Sequence, residues 1–165
     1  WDSAWEYRRA ALSQEPWRAL SGHLVHLSWL HWAVNAVALV ALAVLLAPWL
    51  GARAQAGTLA AAGLGVAGML ALGWPEVAWY RGLSGALHGL YFAGTLAWCV
   101  KARPGTRWLP AALLAGGAVK LVLEQAWRYE PAPLAWLGAP AVAPAHLAGA
   151  LVGLGCAALV LLARR

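Results

Sequence analysis

The stretch HLSWLHWAVNAVALVALAVLLA, residues 26–47, determines the class of this chain. It contains no Asp, Glu, Lys or Arg, and it has the length of about 20 apolar residues that a helix needs to cross the hydrocarbon core of a bilayer. Similar apolar stretches follow at about 57–73, 83–100, 108–127 and 142–162. We therefore predict an all-α, polytopic transmembrane bundle with five spanning helices.

The composition of the whole chain agrees with this class. Of 165 residues, 62% are hydrophobic and 11% are charged, and the mean hydropathy is +0.64, whereas about a quarter of the residues in soluble domains are charged. We divide the chain into an interfacial segment on the outer face, residues 1–22, and a transmembrane domain, residues 23–165. The interfacial segment is expected to hold Trp1, Trp5, Trp17 and Arg18 near the lipid headgroups.

The net charge of +6 is distributed unevenly across the predicted helices. By the positive-inside rule, the side that carries basic residues and no acids faces the cytoplasm, and this places the C-terminus in the cytoplasm. Because the excess charge follows the topology, we expect no nucleic-acid partner. The acid-free side holds Arg53, Lys101, Arg103, Arg107, Arg164 and Arg165; the other side holds Asp2, Glu6, Glu15, Glu76, Glu124 and Glu130.

A serine and a histidine lie at the outer ends of two predicted spans. Ser84, in the string GLSG at 82–85, begins the third span, where free helix amides favour a developing negative charge. His146, in AHLAG at 145–149, begins the fifth span and could act as the base that activates a serine. The two meet only if these spans pack through their glycine faces, Gly85–Gly89 and Gly149–Gly153. No acid follows as a third member, so we predict a Ser–His dyad.

Other polar residues are expected at the same depth. His31 and Asn35 share a helix face and, with the amide of Ser84, could stabilise an oxyanion. His26 lies near the outer end of the same span. His88, one turn below Ser84, could tune the dyad, hold a water or bridge helices.

Lys120 and Glu124 are four residues apart inside the fourth span. Mutual pairing explains how both charges are tolerated there. A role for Glu124 in substrate recognition is the alternative. Cys99 and Cys156 lie in apolar stretches without a spacing that indicates a disulfide or a catalytic thiol.

These motifs resemble the rhomboid family of intramembrane serine proteases over nearly the whole chain. The matching residues are Trp17-Arg18, His26, His31, Asn35, GLSG at 82–85 and AHLAG at 145–149. Within the family the chain is most similar to the rhombosortase branch, on the strings SGHLVHL at 21–27, GLSGALHG at 82–89 and KLVLEQ at 120–125.

The resemblance implies that Ser84 is the nucleophile, that His146 is the base, and that His31, Asn35 and backbone amides form the oxyanion site. It also implies a further helix upstream of Trp1. Rhombosortases are associated with exported proteins whose C-terminal sorting tail combines a Gly-Gly motif, a hydrophobic helix and basic residues. The expected function is cleavage of such a tail at the periplasmic face of a bacterial inner membrane. The expected partners are lipid and the tail-bearing substrate, with no cofactor.

Three alternatives remain open from the sequence. The same acyl-enzyme could be released by an amine, which would make the chain a transpeptidase. A chain without catalysis would be a rhomboid-like binder of transmembrane segments. Histidines near one face could also hold iron, zinc or copper, although the sequence has no HExxH pair; we therefore expect no metal.

Overall fold

The structure, a computed structural model, describes residues 3–128, 133–134 and 139–163. Within these ranges the chain folds into one short α-helix, five long α-helices, two 3-10 helices (Arg9–Ala11 and Pro104–Thr106) and two antiparallel pairs of two-residue strands. The helices are α1 (Arg18–Ser21), α2 (Trp29–Leu46), α3 (Ala52–Gly73), α4 (Ser84–Lys101), α5 (Trp108–Leu123) and α6 (Ala143–Leu162). The strand pairs are β1 (Tyr7–Arg8) with β2 (Trp79–Tyr80), and β3 (Pro133–Leu134) with β4 (Ala139–Pro140).

Three helices in the described part of the chain, α2, α3 and α6, have the length and apolar composition required to span a bilayer. The helix α5 is apolar but has only 16 residues. The helix α4 carries Ser84, His88 and Lys101, which lower its hydropathy. The predicted helical membrane bundle is therefore confirmed, whereas the number of five spans stays a prediction.

The two largest differences from the predicted helix boundaries are at the start of α3 and the end of α5. The helix α3 begins at Ala52, ahead of the predicted residue 57, because the buried amide of Gln55 donates to the carbonyl of Leu50 at 2.7 Å and extends the helix back to the turn after α2. The helix α5 ends at Leu123 instead of residue 127. Gln125 adopts φ +48°, a left-handed conformation that ends a helix.

The helix α4 lies at the centre of the bundle and packs against α2, α3, α5 and α6. Its contact with α6 is made through glycines. A Cβ on Gly149 would lie 1.8 Å from the carbonyl oxygen of Gly85, and a Cβ on Gly153 would lie 2.1 Å from that of Gly89. The predicted contact between the two glycine faces is thus confirmed, and a larger residue at either α6 position would separate the helices.

The segment before α2 is folded onto the bundle. Arg18 is 7% exposed and donates to the carbonyls of Ser3 and Glu6, both at 2.9 Å, so it is held within the protein, and its place near the headgroups stays a prediction. Glu6 is buried in turn and forms an ion pair with Arg81. Because β1 also pairs with β2, this segment braces the connection that leads into α4.

Candidate active site

Ser84 is the first residue of α4, and the connection before it requires glycine. Gly82 has φ +118°, where L side chains are strained, and a Cβ there would lie 2.7 Å from Cε1 of His31. The Gly82 amide donates to the carbonyl of Gly22 at 3.0 Å, which anchors the turn to the N-terminal segment. The chain therefore passes directly against the His31 imidazole before it turns into the helix that begins with Ser84.

The side chains of Ser84 and His146 meet. Nε2 of His146 lies 3.1 Å from Oγ of Ser84, although the two residues are 62 positions apart. They belong to α4 and α6, the helices that the glycine contact holds together. The imidazole is buried, so its position is fixed by packing as well as by this hydrogen bond.

A carboxylate lies on the other side of the same imidazole. Oε2 of Glu124 is 2.9 Å from Nδ1 of His146. A carboxylate only accepts hydrogen bonds, so Nδ1 carries the ring proton and Nε2 presents its lone pair to the Ser84 hydroxyl. The expectation that no acid joins the serine and histidine is therefore wrong. Glu124 reaches His146 because α5 ends one residue before it.

His88 connects three of the helices. Its Nδ1 lies 2.7 Å from the carbonyl oxygen of Ser84, and its Nε2 lies 3.0 Å from Nζ of Lys120. An ammonium group only donates, so Nε2 accepts and Nδ1 donates to the carbonyl. The ring also stacks on His146, with centroids 4.1 Å apart and planes at 15°. Of the roles predicted for His88, bridging helices is the one that these contacts show.

Lys120 completes the cluster. Its Nζ lies 2.6 Å from Oε1 of Glu124, so the predicted pairing of these residues is confirmed. The hydrogen bonds now form a closed ring that starts at the Ser84 hydroxyl, passes through His146, Glu124, Lys120 and His88, and returns to the Ser84 carbonyl. We call these five residues the Ser84 ring.

His31 and Asn35 lie on the opposite wall. The Ser28 hydroxyl caps α2 by accepting from the amide of His31 at 3.1 Å. The amide of Leu27 donates to Nδ1 of His31 at 3.4 Å, which leaves the ring proton on Nε2. The Asn35 side chain donates to the carbonyl of His31 at 2.9 Å, so its orientation is fixed by its own helix.

A cavity of about 260 Å³ joins these groups. It adjoins an apolar groove of about 520 Å³ between α2, α4 and α5. Polar residues common to both are Asn35, Ser84, His88 and Lys120, so the groove leads to the serine. The polar residues that line the cavity are His31, Asn35, Tyr80, Arg81, Ser84, His88, Lys120, Glu124 and His146.

Two histidines near the site support the structure and do not line the cavity. His26 packs edge-on against His31, with centroids 5.0 Å apart. His23 lies with Nε2 2.9 Å from the carbonyl oxygen of Gly63 and so ties the N-terminal segment to α3. Burial lowers the pKa of His23 below its usual value. Of the predicted site residues, only His26 lies behind the cavity wall.

Tyr80 is a site residue that the sequence did not indicate. Its hydroxyl accepts from the amide of Gly85 at 3.1 Å and therefore occupies a helix N-terminal amide next to Ser84. Burial raises the pKa of Tyr80. The spacing of Tyr80 four positions before Ser84 is too common in sequences to predict the hydrogen bond between the Tyr80 hydroxyl and the Gly85 amide.

The described residues offer no group of three or more His, Cys, Asp and Glu side chains placed to hold a metal ion. The imidazole nitrogens of His88 and His146 are instead engaged within the Ser84 ring. The metal-protein alternative therefore finds no candidate site in this part of the chain. Cys99 and Cys156 are free, half-buried thiols.

Comparison with known proteins identifies the family to which the chain belongs. A family model described as the Rhomboid domain matches residues 13–163. The match therefore includes all six α-helices, from α1 to α6. No curated protein and no solved structure matches the chain. The chain therefore belongs to the rhomboid family, whose members are generally intramembrane serine proteases.

Proposed function

We propose that this chain is an intramembrane serine endopeptidase that cleaves the C-terminal sorting tail of exported proteins, with Ser84 as nucleophile and His146 as general base. The observation that carries the proposal is the 3.1 Å contact between Oγ of Ser84 and Nε2 of His146, inside a cavity and at a helix N-terminus. A serine hydroxyl is a weak nucleophile unless an adjacent base removes its proton. A binder of transmembrane segments would have no need of such a contact.

The first half of the reaction forms an acyl-enzyme. Oγ of Ser84 attacks the scissile carbonyl carbon while Nε2 of His146 takes the hydroxyl proton. Negative charge then develops on the former carbonyl oxygen. The donors proposed to stabilise it are Nε2–H of His31, the amide of Asn35 and the backbone amide of Ser84, since all three residues line the cavity.

The second half releases the product. His146 donates its proton to the leaving amine, the C–N bond breaks, and the tail fragment departs. Water then attacks the ester carbonyl while His146 takes a proton from it, and the new carboxylate leaves as Ser84 regains its hydrogen. Water can reach this centre because the cavity wall is rich in polar side chains.

The apolar groove supports entry of the substrate from the lipid. It is bounded by α2, α4 and α5, and small residues leave room for an incoming chain: Ala38, Ala41 and Gly116. A helical substrate must unwind before its peptide bond can approach Ser84. A Gly-Gly motif suits this step because glycine is poorly stabilised in a helix and has no side chain to exclude from a narrow cavity.

We further propose that the cavity faces the periplasm and that the C-terminus is cytoplasmic, in a bacterial inner membrane. The end of the bundle away from Ser84 supports this orientation. Nζ of Lys101 donates to the carbonyl of Trp49 at 2.5 Å there, and Trp49 stacks on Trp98 with centroids 5.5 Å apart. Basic residues are enriched on the cytoplasmic side of a membrane, whereas tryptophans mark an interface on either side, so the basic residues carry the orientation. Residues 1–22 would then cover the outer face.

A tail-processing assay tests the proposal. A reporter with a Gly-Gly motif, an apolar helix and basic residues is expressed with this chain, and the new C-terminus is analysed by mass spectrometry. Ser84→Ala should abolish processing, whereas the control Ser13→Ala, at an exposed site, should process normally. Processing that persists in Ser84→Ala at equal membrane levels would contradict the proposal.

The mass of the product distinguishes the release step. A free carboxylate on every product indicates hydrolysis, as we propose. An amine-linked C-terminus would instead indicate that the same acyl-enzyme serves a transpeptidase, and a reporter that is bound but never cut would indicate a binder.

A further inference from the structure

We infer that Glu124 is a positioning residue of this site, so that the chain operates with a Ser84–His146–Glu124 triad held by Lys120 and His88. The inference rests on the proposed function, since a triad has a purpose only if Ser84 is the nucleophile. It goes beyond the predicted dyad, and it assigns to Glu124 a role other than substrate recognition.

The geometry assigns the protons around the imidazole. Oε2 of Glu124 accepts the Nδ1 proton of His146 at 2.9 Å, and the neutral ring therefore has its lone pair on Nε2, 3.1 Å from the Ser84 hydroxyl. Without the carboxylate, the ring could adopt the other tautomer, which donates to the hydroxyl and cannot take its proton. Holding the correct tautomer and ring orientation is what the third member of a triad does.

The ion pair with Lys120 does not by itself account for the position of Glu124. The lysine engages Oε1, at 2.6 Å, and leaves Oε2 free for the imidazole. An anion at the C-terminus of a helix is disfavoured by the helix dipole, and Glu124 follows directly after the last residue of α5. The carboxylate is therefore kept at an unfavourable place by partners on both of its oxygens.

The end of α5 aims the carboxylate at His146. Gln125 adopts φ +48°, a conformation that residues other than glycine rarely take. The next amide, of the buried Ala126, returns to the carbonyl of Leu121 at 3.1 Å and closes the helix end. This tight ending stops α5 at the level of His146, so that Glu124 turns inward and does not continue along the lipid-facing side.

The Ser84 ring explains what Lys120 and His88 contribute. Lys120 donates to both Glu124 and Nε2 of His88, and His88 donates to the carbonyl of Ser84 and stacks on His146. The serine is thus held at its hydroxyl and at its carbonyl by one network. During attack the imidazole becomes positively charged, and the ionised Glu124 stabilises that charge without taking the proton.

The first experiment uses a fluorophosphonate probe, which reacts with an activated serine and carries no sorting tail. Glu124→Gln keeps the shape of the side chain but can turn its NH₂ group towards Nδ1, favouring the wrong tautomer. We expect the labelling rate and kcat for the tail reporter to fall together by about 100-fold, with KM changed less than about twofold. The control Glu76→Gln, at an exposed acid, should match the wild type.

Glu124→Gln that labels at the wild-type rate but fails to process the tail would overturn the inference, because Glu124 would then act in substrate recognition. This result differs from failure of the proposed function, in which Ser84→Ala would retain labelling and processing.

A rescue experiment separates positioning from a structural role. Glu124→Ala removes a side chain that is 30% exposed and lines the cavity, so formate can occupy the vacated site. We expect the labelling rate of Glu124→Ala to rise with formate concentration and not with chloride at equal ionic strength. Equal responses to the two anions would overturn the inference. If Glu124→Ala does not fold, the isosteric Glu124→Gln result decides alone.

Discussion

The two sides of α4 differ sharply in how closely they are packed. On the side of α6, a Cβ added to Gly149 would lie 1.8 Å from the carbonyl oxygen of Gly85. On the side of α5, Gly117 packs against Tyr91 and Phe92, but beside this contact a Cβ added to Gly116 would meet nothing within 4 Å, and a groove of about 520 Å³ runs along the helix. The Ser84–His146 contact bridges the closed side, where helices cannot shift, and the proposed substrate enters on the open side. Rigidity and access are thus provided by opposite faces of one helix.

The largest effect should come from opening the closed side. Gly149→Ala places a methyl group against backbone, which cannot rotate away, so α4 and α6 must separate. We expect a loss of about 1–3 kcal/mol or more in the free energy of unfolding. We also expect at least a 100-fold loss of fluorophosphonate labelling, because displacement of about 1 Å at a reacting centre has that effect.

The matched control is Gly155→Ala, on the same helix with nothing within 4 Å of the new Cβ. Thermal unfolding in detergent and labelling kinetics check both variants. Equal behaviour of the two would show that the glycine contact does not set the active geometry.

A slightly smaller effect is expected at the turn into α4. Gly82→Ala combines a strained φ of +118° with a Cβ 2.7 Å from the His31 ring. Strain of this kind amounts to about 1–3 kcal/mol, and we expect labelling of Ser84 to fall by about 10- to 100-fold as the serine and the oxyanion wall move apart. Gly51→Ala, in the turn between α2 and α3, is the control because its Cβ meets nothing within 4 Å. Wild-type kinetics for Gly82→Ala would contradict the placement of this turn.

Much of this architecture was predictable from sequence because it depends on local patterns. Apolar length predicted the five long helices to within a few residues, and glycine spacing predicted the α4–α6 contact that joins Ser84 to His146. The i, i+4 spacing predicted the Lys120–Glu124 pair.

The rest depends on contacts that have no local pattern. Glu124 lies 22 residues before His146, and its reach depends on the left-handed Gln125, which a helical pattern through residue 127 does not indicate. Likewise, Tyr80 acts through the backbone amide of Gly85, and the buried Arg18 acts through the backbone carbonyl of Glu6. Side chains that bond to backbone leave no spacing to recognise.

A bulky side chain in the groove between α2, α4 and α5 should hinder entry of the substrate without changing the reactivity of Ser84. Gly116→Phe places an aromatic ring in the groove, where space is available, so folding should be preserved. We expect kcat/KM for the tail reporter to fall by about 10-fold, while the small fluorophosphonate labels Ser84 at the wild-type rate. The control is Gly68→Phe, on α3 with nothing near its Cβ and outside the groove. Equal loss of labelling and processing in Gly116→Phe would contradict lateral entry through this groove.

The smallest effect concerns pH and the buried His23. Burial lowers the pKa of His23 from 6.5 in the folded chain, so the unfolded chain takes up the proton first as the pH falls. The contribution of this group to the free energy of unfolding should therefore be fully present above the unfolded pKa of about 6.5 and should decrease as the pH falls below it. His23→Gln, which keeps a donor for Gly63, should remove that part of the decrease. If the free energy of unfolding of the wild type and of His23→Gln decreased in parallel below pH 6.5, the role given to His23 would be contradicted.

The most direct test of the central claim is to map the fluorophosphonate adduct by peptide mass spectrometry in the wild type and in His146→Ala. We expect one adduct, on Ser84, and its loss in His146→Ala although that variant still folds. Cys99→Ala and Cys156→Ala should label normally. An adduct on any other residue, or full labelling of Ser84 without His146, would contradict the claim that these two side chains form the reactive pair.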